Sequence, residues 1–526
     1  MNRRRLILLL ALVPWVSSAP GSGADQPQWG VAWSRNQVSA ERGLPAEFDV
    51  ATGKNVRWSA PLGTETHSTP VIAGGRVFIG TNNGEPRDPR HEGDRGVLLC
   101  LDERDGSLLW QLVVPKREED PYFDWPGCGI SSTATVDGDC AYLLDNRGVV
   151  VCLDVRGLAD GNDGPFLDEG RYMTPPRDTG APPAPVAGVE IPPEPGLRPL
   201  DRDAMTPGPL DADIRWVFDL TAEAGTWPHD AAQSSILVHG DHLYLNTSTG
   251  VDNTHRRIRK PDAPSLVVLD KRTGEYLARE NEGMTAATFH CTWSSPSLTS
   301  VNGEPRLFFA GGDGIVYGFE PFLGALHGDK PAGLRKVFSY DIDPTAPKQD
   351  IHLYVQNRRE SPSNIYGMPV VVDGSLFVAG GGDVFWGKND AWLQRVDVAG
   401  SGDTTGKALR WSYPLRQHTL STPAVYGDLV FIADTGKSVH CVDAATGQPY
   451  WTQECGGAFW ASPYVADGKV YIGSRSGDFW VLAAAKEKKV LFEAGLPAPV
   501  SATAVAANGT LYVATMTHLY AIAAEE

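Results

Sequence analysis

The chain has 526 residues, among them 57 Gly and 40 Pro, and only 21% are charged. Its 46 basic and 64 acidic side chains give a net charge of −18, which excludes a general binder of nucleic-acid backbone. An apolar share of 42% with 15 Trp excludes a mostly disordered chain and supplies a sizeable core.

Residues 1–24 read as a secretory signal peptide. Arg3, Arg4 and Arg5 precede the apolar run Leu6–Val13 and then small residues from Ser17 to Ala24, the order of an export signal. Ser22-Gly23-Ala24 fits the small-x-small cleavage rule, so the mature chain is expected to start at Asp25 and to be periplasmic or secreted. The apolar run is short of the ~20 residues a spanning helix needs, and no later segment qualifies. No transmembrane helix is expected in the mature chain, and no Cys follows the run to carry a lipid.

Residues 25–526 read as one domain built from a repeat. Ser421-Thr422-Pro423-Ala424-Val425 opens a phrase of apolar strand, Gly-Asp turn, second strand, Gly-rich turn, third strand and fourth strand, and Ser462-Pro463-Tyr464-Val465 reopens it about forty residues later. Similar openings stand at Ser68, Ser131, Ser234 and Ser294, with weaker ones at Tyr366 and Ser501. Eight openings of four strands each predict an all-β, eight-bladed β-propeller of antiparallel blades. The last blade runs out after three strands, while residues 49–58 form a turn and strand with no blade of their own. An N-terminal strand joining the C-terminal blade would close the ring and remove its open edges.

Asp102, Gly106 and Trp110 recur at the same spacing as Asp443, Gly447 and Trp451. The Asp can accept turn N–H groups, Gly supplies positive φ, and Trp packs between neighbouring sheets, so these six are expected to dock blades. The phrase at Asp270 has Ala278 where Trp would stand, and at Asp49 the Trp comes one residue late, so those two blades are expected to dock less regularly. Residues 157–210 break the period with about a dozen prolines and read as a long excursion between the third and fourth strands of the second blade. Within it, residues 160–164 offer oxygen ligands without the regular alternation of a calcium loop.

The Asp-Gly-Trp pattern resembles the tryptophan-docking motif of the pyrroloquinoline-quinone (PQQ) repeat, found in quinoprotein alcohol dehydrogenase-like proteins and in outer-membrane assembly propellers. Stretches such as residues 80–84 with 93–96, and 246–253, resemble exported PQQ-repeat proteins. The resemblance implies the propeller fold, and for the enzymes of the family a PQQ cofactor with calcium held by Glu, Asn and Asp, an Arg and a catalytic Asp. Many of those enzymes also hold a vicinal disulfide, and this chain has no Cys-Cys pair and no haem motif.

In a propeller the lead-ins to the inner strands and the loops between second and third strands surround the axial funnel, where ligands bind. Just before inner strands stand His67, His229 with Asp230, His290 with Cys291 and Trp293, and His418, and Trp227, Phe459 and Trp460 occupy corresponding lead-ins. The histidines could bind a metal, shuttle protons or hydrogen-bond a ligand, or simply cap strand backbone. Trp293 and Trp460 could floor a flat ligand. Loop arginines, Arg87, Arg90 and Arg95 in the first blade and Arg256, Arg257 and Arg259 in the third, could hold an anion or pair with nearby Asp residues. Seven cysteines include Cys100, Cys152 and Cys441 at core positions and Cys128 and Cys291 at the funnel, the latter two a candidate disulfide or reactive thiol pair.

These features are read together as an exported propeller that binds a small molecule or a protein partner through its funnel face. The alternatives are a PQQ-dependent alcohol or sugar dehydrogenase and an envelope assembly scaffold.

Overall fold

The structure, a computed structural model, describes residues 24–117, 120–175, 203–324 and 331–524. The expected signal peptide, apart from Ala24, lies outside the described residues, as does 176–202 within the Pro-rich excursion. The rest forms eight sheets in a ring, each an antiparallel meander from the inner strand outward. Blade 1 comprises Val71–Ala73, Arg76–Asn82, Arg95–Asp102 and Leu108–Pro115. Blades 2 to 7 begin at Thr135, Leu237, Ser297, Val370, Ala424 and Tyr464, and blade 8 runs Val505–Ala507, Thr510–Ala514 and His518–Ile522. No helix of the described residues is long and apolar enough to cross a membrane.

The ring closes as the sequence predicts. Val56–Pro61 pairs antiparallel with His518–Ile522 and supplies the fourth strand of blade 8. The late Trp of this strand does not loosen its docking, contrary to expectation. The extra residue is taken up in the turn before the strand, where Asn55 adopts φ +57° and Val56 N donates to the Gly53 carbonyl, and Trp58 donates its indole N–H to the Glu103 carbonyl at 3.0 Å, as Trp110 does to Val155. Trp216, Trp411 and Trp451 make the same bond to Lys271, Ala444 and Ala485 of the following blade. The aspartates organise the receiving turns: Asp102 accepts from Arg104 N at 2.8 Å and Asp443 from Thr446 N at 2.8 Å. Blade 3, with Ala278 in place of Trp, is covered at its outer edge by Ala332–Gly333, which adds a fifth, parallel strand.

The Ser-Thr openings lace the blades together. The backbone N–H of Thr69 donates to Thr133 Oγ1 of the next blade at 3.1 Å, and Thr422 N donates to Ser462 Oγ, Ser462 N to Thr503 Oγ1, and Thr503 N to Thr69 Oγ1 across the closure. Preceding serines reach the same way, Ser68 Oγ to the Ser132 carbonyl and Ser421 Oγ to the Ala461 carbonyl. Near the axis, strands are too crowded for large side chains, and short hydroxyls satisfy the backbone groups that the inner strand ends leave unpaired.

Residues 25–41, for which the sequence suggested no structure, lie across the axis on the side away from the funnel. They touch every blade: Pro27 O accepts from Val136 N, Trp33 O from Leu298 N, Ser34 O from Val371 N and Gln37 O from Val465 N, while Gln26, Trp33, Asn36 and Glu41 bond at Ile72, Val238, Val425 and Gly509. Arg35 is fully buried in the middle of this plug. Trp29 caps a small polar cavity of about 90 Å³ ringed by Thr69, Thr133, Ser235, Ser295, Thr422 and Ser462. The axial channel is therefore closed at one end and open at the other.

Candidate functional site

The open end is a cavity of about 440 Å³ with aromatic walls: Tyr122, Trp125, Trp293, Tyr366, Phe385, Trp386 and Trp460. Its polar groups are few, with Glu65, His67, Asp230 and His255 the titratable ones beside Tyr122, Tyr366 and Cys128. A mostly apolar concavity with a small number of placed polar groups is the ordinary form of a small-molecule site.

Of the residues singled out from the sequence, His67, Asp230, Trp293 and Trp460 line this cavity. His67 bonds Glu65 at 2.8 Å and stacks on Trp460 with ring centroids 5.6 Å apart. That bond is the main reason the Glu65 carboxyl sits below its usual range. Arg475 also lies over Trp460, its guanidinium carbon 4.5 Å from the ring centre. His418 is buried outside the lining and donates to the Lys388 carbonyl at 2.7 Å. Trp227 is also buried away from the cavity, donating to Asp120 at 3.1 Å. Arg95 and Arg256 do not line the cavity either. Arg95 bonds the Asp94 carbonyl, and exposed Arg256 stays in a turn organised by Asp252. Arg90, Arg257 and Arg259 pair with Asp88, Asp252 and Asp120, so the loop arginines are largely matched by neighbouring acids.

His229 and His290 lie at the cavity floor, each 1% exposed, and a third histidine joins them. His255 comes from the loop between the second and third strands of blade 3, and its Nε2 is 3.1 Å from His229 Nε2. Three chain segments are pinned to make this meeting. Gly250 N donates to the Trp227 carbonyl and Val251 N to the His290 carbonyl, while His255 N bonds the Asp252 carbonyl. Gly250 has to be Gly here, because a Cβ would come within 2.5 Å of the His290 carbonyl oxygen and 2.7 Å of His229 Cβ.

Asp383 orients the floor. His290 Nδ1 lies 3.1 Å from Asp383 Oδ2, and Asp383 accepts in turn from the Tyr366 hydroxyl and from the backbone N–H groups of Phe385 and Trp386. Burial penalises the imidazolium of His290, and the neighbouring Cys291 sulfur and the Asp383 carboxylate together more than offset that penalty, raising its pKa well above the ordinary value. Asp383 is held below its ordinary range by His290 despite its own burial. Burial and the neighbouring imidazoles push His229 well down and His255 down to about 4, so these two rings present lone pairs at neutral pH. Burial pushes Asp230 up to about 6. Its backbone is held at φ +67°, a left-handed conformation unusual for a side chain other than Gly or Asn and one that aims the carboxylate at the histidines.

Cys128 and Cys291 are both free thiols. Cys128 meets Ser131 Oγ at 3.1 Å, and burial pushes the two thiols up to about 12 and about 11, so neither is an activated nucleophile. Residues 160–164 bring Asp163 beside Asp154 and Asp213 in blade 2, remote from the cavity lining.

His255, Tyr366, Asp383, Phe385 and Trp386 escaped the sequence reading. All but Tyr366 sit in loops between second and third strands, the other half of the funnel face, and their lengths differ from blade to blade, so no repeat register marks them. The calcium implied by the resemblance does not fit the floor. Among the described residues the ligand clusters at the funnel contain imidazole or thiol, His229 with His255 and His290, and Glu65 with His67 and Cys128. Calcium takes six to eight oxygens, and no such set converges there.

The model of the family described as outer membrane protein assembly factor BamB matches residues 15–161 and 389–522, over half of the chain. No curated protein matches the chain. Among solved structures, BamB from Moraxella catarrhalis is 14% identical with a TM-score of 0.50, over 89% of this chain and 97% of its own. A europium-containing methanol dehydrogenase is 10% identical with a TM-score of 0.57, over 95% of this chain and 98% of its own. At these identities the structural likeness concerns the fold. Eight four-stranded blades, five of them docked onto the next by a tryptophan, and the family match together place this chain in the PQQ-repeat β-propeller family.

Proposed function

We propose that this protein is an exported binding protein that takes a small, flat organic ligand into the aromatic funnel cavity. The observation that carries the reading is the wall itself, seven aromatic side chains around about 440 Å³ closed below by the Trp29 plug. Stacking on such walls selects planar rings, and the acidic Glu65 and Asp230 with no lining arginine favour a neutral or cationic ligand over an anionic one. The envelope export on which the reading depends rests on residues 1–24, and N-terminal sequencing of the protein from the secreted or periplasmic fraction should begin at Asp25.

Tryptophan fluorescence titration with two probes tests the ligand class, an aminoquinoline cation and a quinoline carboxylate of equal size. The cation should quench saturably and bind at least tenfold tighter than the carboxylate, and Trp386→Ala should weaken it at least tenfold with an unchanged melting temperature. Equal affinity of the two probes, or binding indifferent to Trp386→Ala, would overturn the reading. The protein-partner alternative draws on the family description and on BamB among the structural neighbours, but no residue at the funnel favours it over the cavity.

A further inference from the structure

We propose that His229, His255 and His290 bind one zinc-type transition-metal ion at the floor of the funnel, with Asp230 as fourth ligand. The site shares the cavity of the preceding reading but stands on the imidazoles alone. One nitrogen from each of the three rings lies within 4.8 Å of the other two. The His229 and His255 Nε2 atoms are 3.1 Å apart, and the Asp230 oxygens lie 3.5 Å from His229 Nε2 and 3.4 Å from His290 Nε2. Ligand atoms on a tetrahedral ion with bonds of ~2.0–2.1 Å are separated by about 3.3 Å. The His229–His255 separation is close to that edge, and Asp230 turns Oδ1 toward His229 and Oδ2 toward His290, so its carboxylate stands beside both rings.

A hydrogen-bonded cluster without metal accounts for less. One N–H···N bond can satisfy His229 with His255, yet His290 Nε2 is buried with no hydrogen-bond partner. It points into the same space, and an ion there would satisfy it together with the other two. The outer shell is also the kind that metal histidines use. Asp383 takes the Nδ1 side of His290 and is itself fixed by two backbone N–H groups, while the Val251 backbone holds the ring of His229. Such carboxylate–histidine pairs hold the proton at Nδ1, so an arriving ion displaces the Nε2 proton of His290 and takes the lone pair it leaves. Imidazole with one carboxylate suits zinc and its neighbours and disfavours calcium and magnesium. Asp230 and His255 face the cavity while His229 and His290 are buried beneath it, so release of the Asp230 carboxylate would open the ion toward a ligand in the funnel.

The mature full-length chain, purified without a histidine tag, stripped with chelator and dialysed, is titrated by calorimetry with Zn²⁺ and by visible absorption with Co²⁺, with no organic ligand present. One ion per chain should bind, with the intense visible bands of four-coordinate cobalt. His255→Ala should weaken Zn²⁺ binding at least a hundredfold, and Asp383→Asn, which touches no ion, by about 10- to 100-fold at unchanged stoichiometry. No saturable uptake of either ion by the wild-type chain, six-coordinate cobalt bands, or an affinity indifferent to both substitutions would overturn the proposal. Should His255→Ala fail to fold by circular dichroism, the wild-type cobalt spectrum and Asp383→Asn still decide. Because no organic ligand is used, failure here leaves the probe titrations of the binding reading to stand or fall by themselves.

Discussion

The Trp58 indole lies flat over Gly106 while donating its N–H to the Glu103 carbonyl at 3.0 Å, so one tryptophan of the N-terminal strand fastens blade 8 to blade 1. A Cβ on Gly106 would meet the Trp58 ring at 2.6 Å, and its φ is +73°. Gly74 has a similar φ of +57° but nothing within 4 Å of a Cβ. Gly74→Ala should therefore cost only the conformational strain, about 1 kcal/mol. Gly106→Ala adds overpacking at a blade interface and should cost about 3 kcal/mol. Equal shifts of the guanidinium midpoint for the two variants would show that the tryptophan contact contributes nothing to ring closure.

The same contact marks what a sequence can and cannot disclose. Asp102, Gly106 and Trp110 were legible because the docking turn is local: cap, positive φ and indole lie within nine residues and recur at one spacing. Ring closure was legible because a strand without a blade needs a partner. The plug at 25–41 was not, since it reaches five blades through backbone and the other three through Trp33, Asn36 and Glu41, which stand at no regular spacing. His229 and His290 were visible by their place before inner strands, but His255 sits in a turn among arginines that looked like an anion site. Long-range backbone contacts, the bridge of Gly250 to Cys291 and the bonds of Gly250 N to Trp227 O and Val251 N to His290 O, bring that turn to the floor.

Arg35 gives the plug a measurable stability. Its guanidinium donates to the carbonyls of Pro296 at 2.9 Å and Ser235 at 2.8 Å, and more weakly to Trp29 at 3.3 Å. Burial pushes its pKa down to about 9, which leaves it charged at neutral pH and neutralised by carbonyl dipoles. Arg35→Ala would strand those carbonyls around a void, at a cost of about 3 kcal/mol. Lysine cannot reproduce the fork that reaches two blades at once, so Arg35→Lys should restore less than half of the loss. In limited proteolysis the Ala variant should be clipped within residues 25–48 before the ring opens; clipping at wild-type rates would mean that the segment is held by its backbone bonds alone.

Asp313 in blade 4 should impose a pH dependence that one substitution removes. Burial pushes its carboxyl up to about 6, although Tyr317 donates to it at 2.6 Å and Ile315 N at 3.1 Å. The folded pKa lies above the unfolded value of ~3.9, so folding favours the protonated form. The associated stability is complete below pH ~4 and is lost as pH rises through about 6, by about 3 kcal/mol at most. Asp313→Asn stays neutral at every pH and should melt above the wild type at pH 7.5 but not at pH 4. An advantage of equal size at both pH values would assign the effect to packing rather than to charge.

Cys140 should be the first thiol to react in the folded protein. It is one of two half-buried cysteines, the other being Cys455, which burial pushes up to about 12. Cys140 is pushed down to about 6, chiefly by a hydrogen bond from the Cys152 thiol, with the Arg215 guanidinium donating to its sulfur at 3.3 Å. At pH 7 it is therefore largely thiolate, whereas Cys100, Cys128, Cys291 and Cys441 are buried thiols. Brief iodoacetamide treatment followed by peptide mass spectrometry should find Cys140 modified ahead of the other six. Arg215→Gln removes one of the three groups that favour the thiolate, the others being Cys152 and Tyr142, and should slow that labelling severalfold at pH 7 while leaving it nearly unchanged at pH 10, where the thiol ionises without help. A pH-independent loss of labelling would instead show that Arg215 controls access to the sulfur.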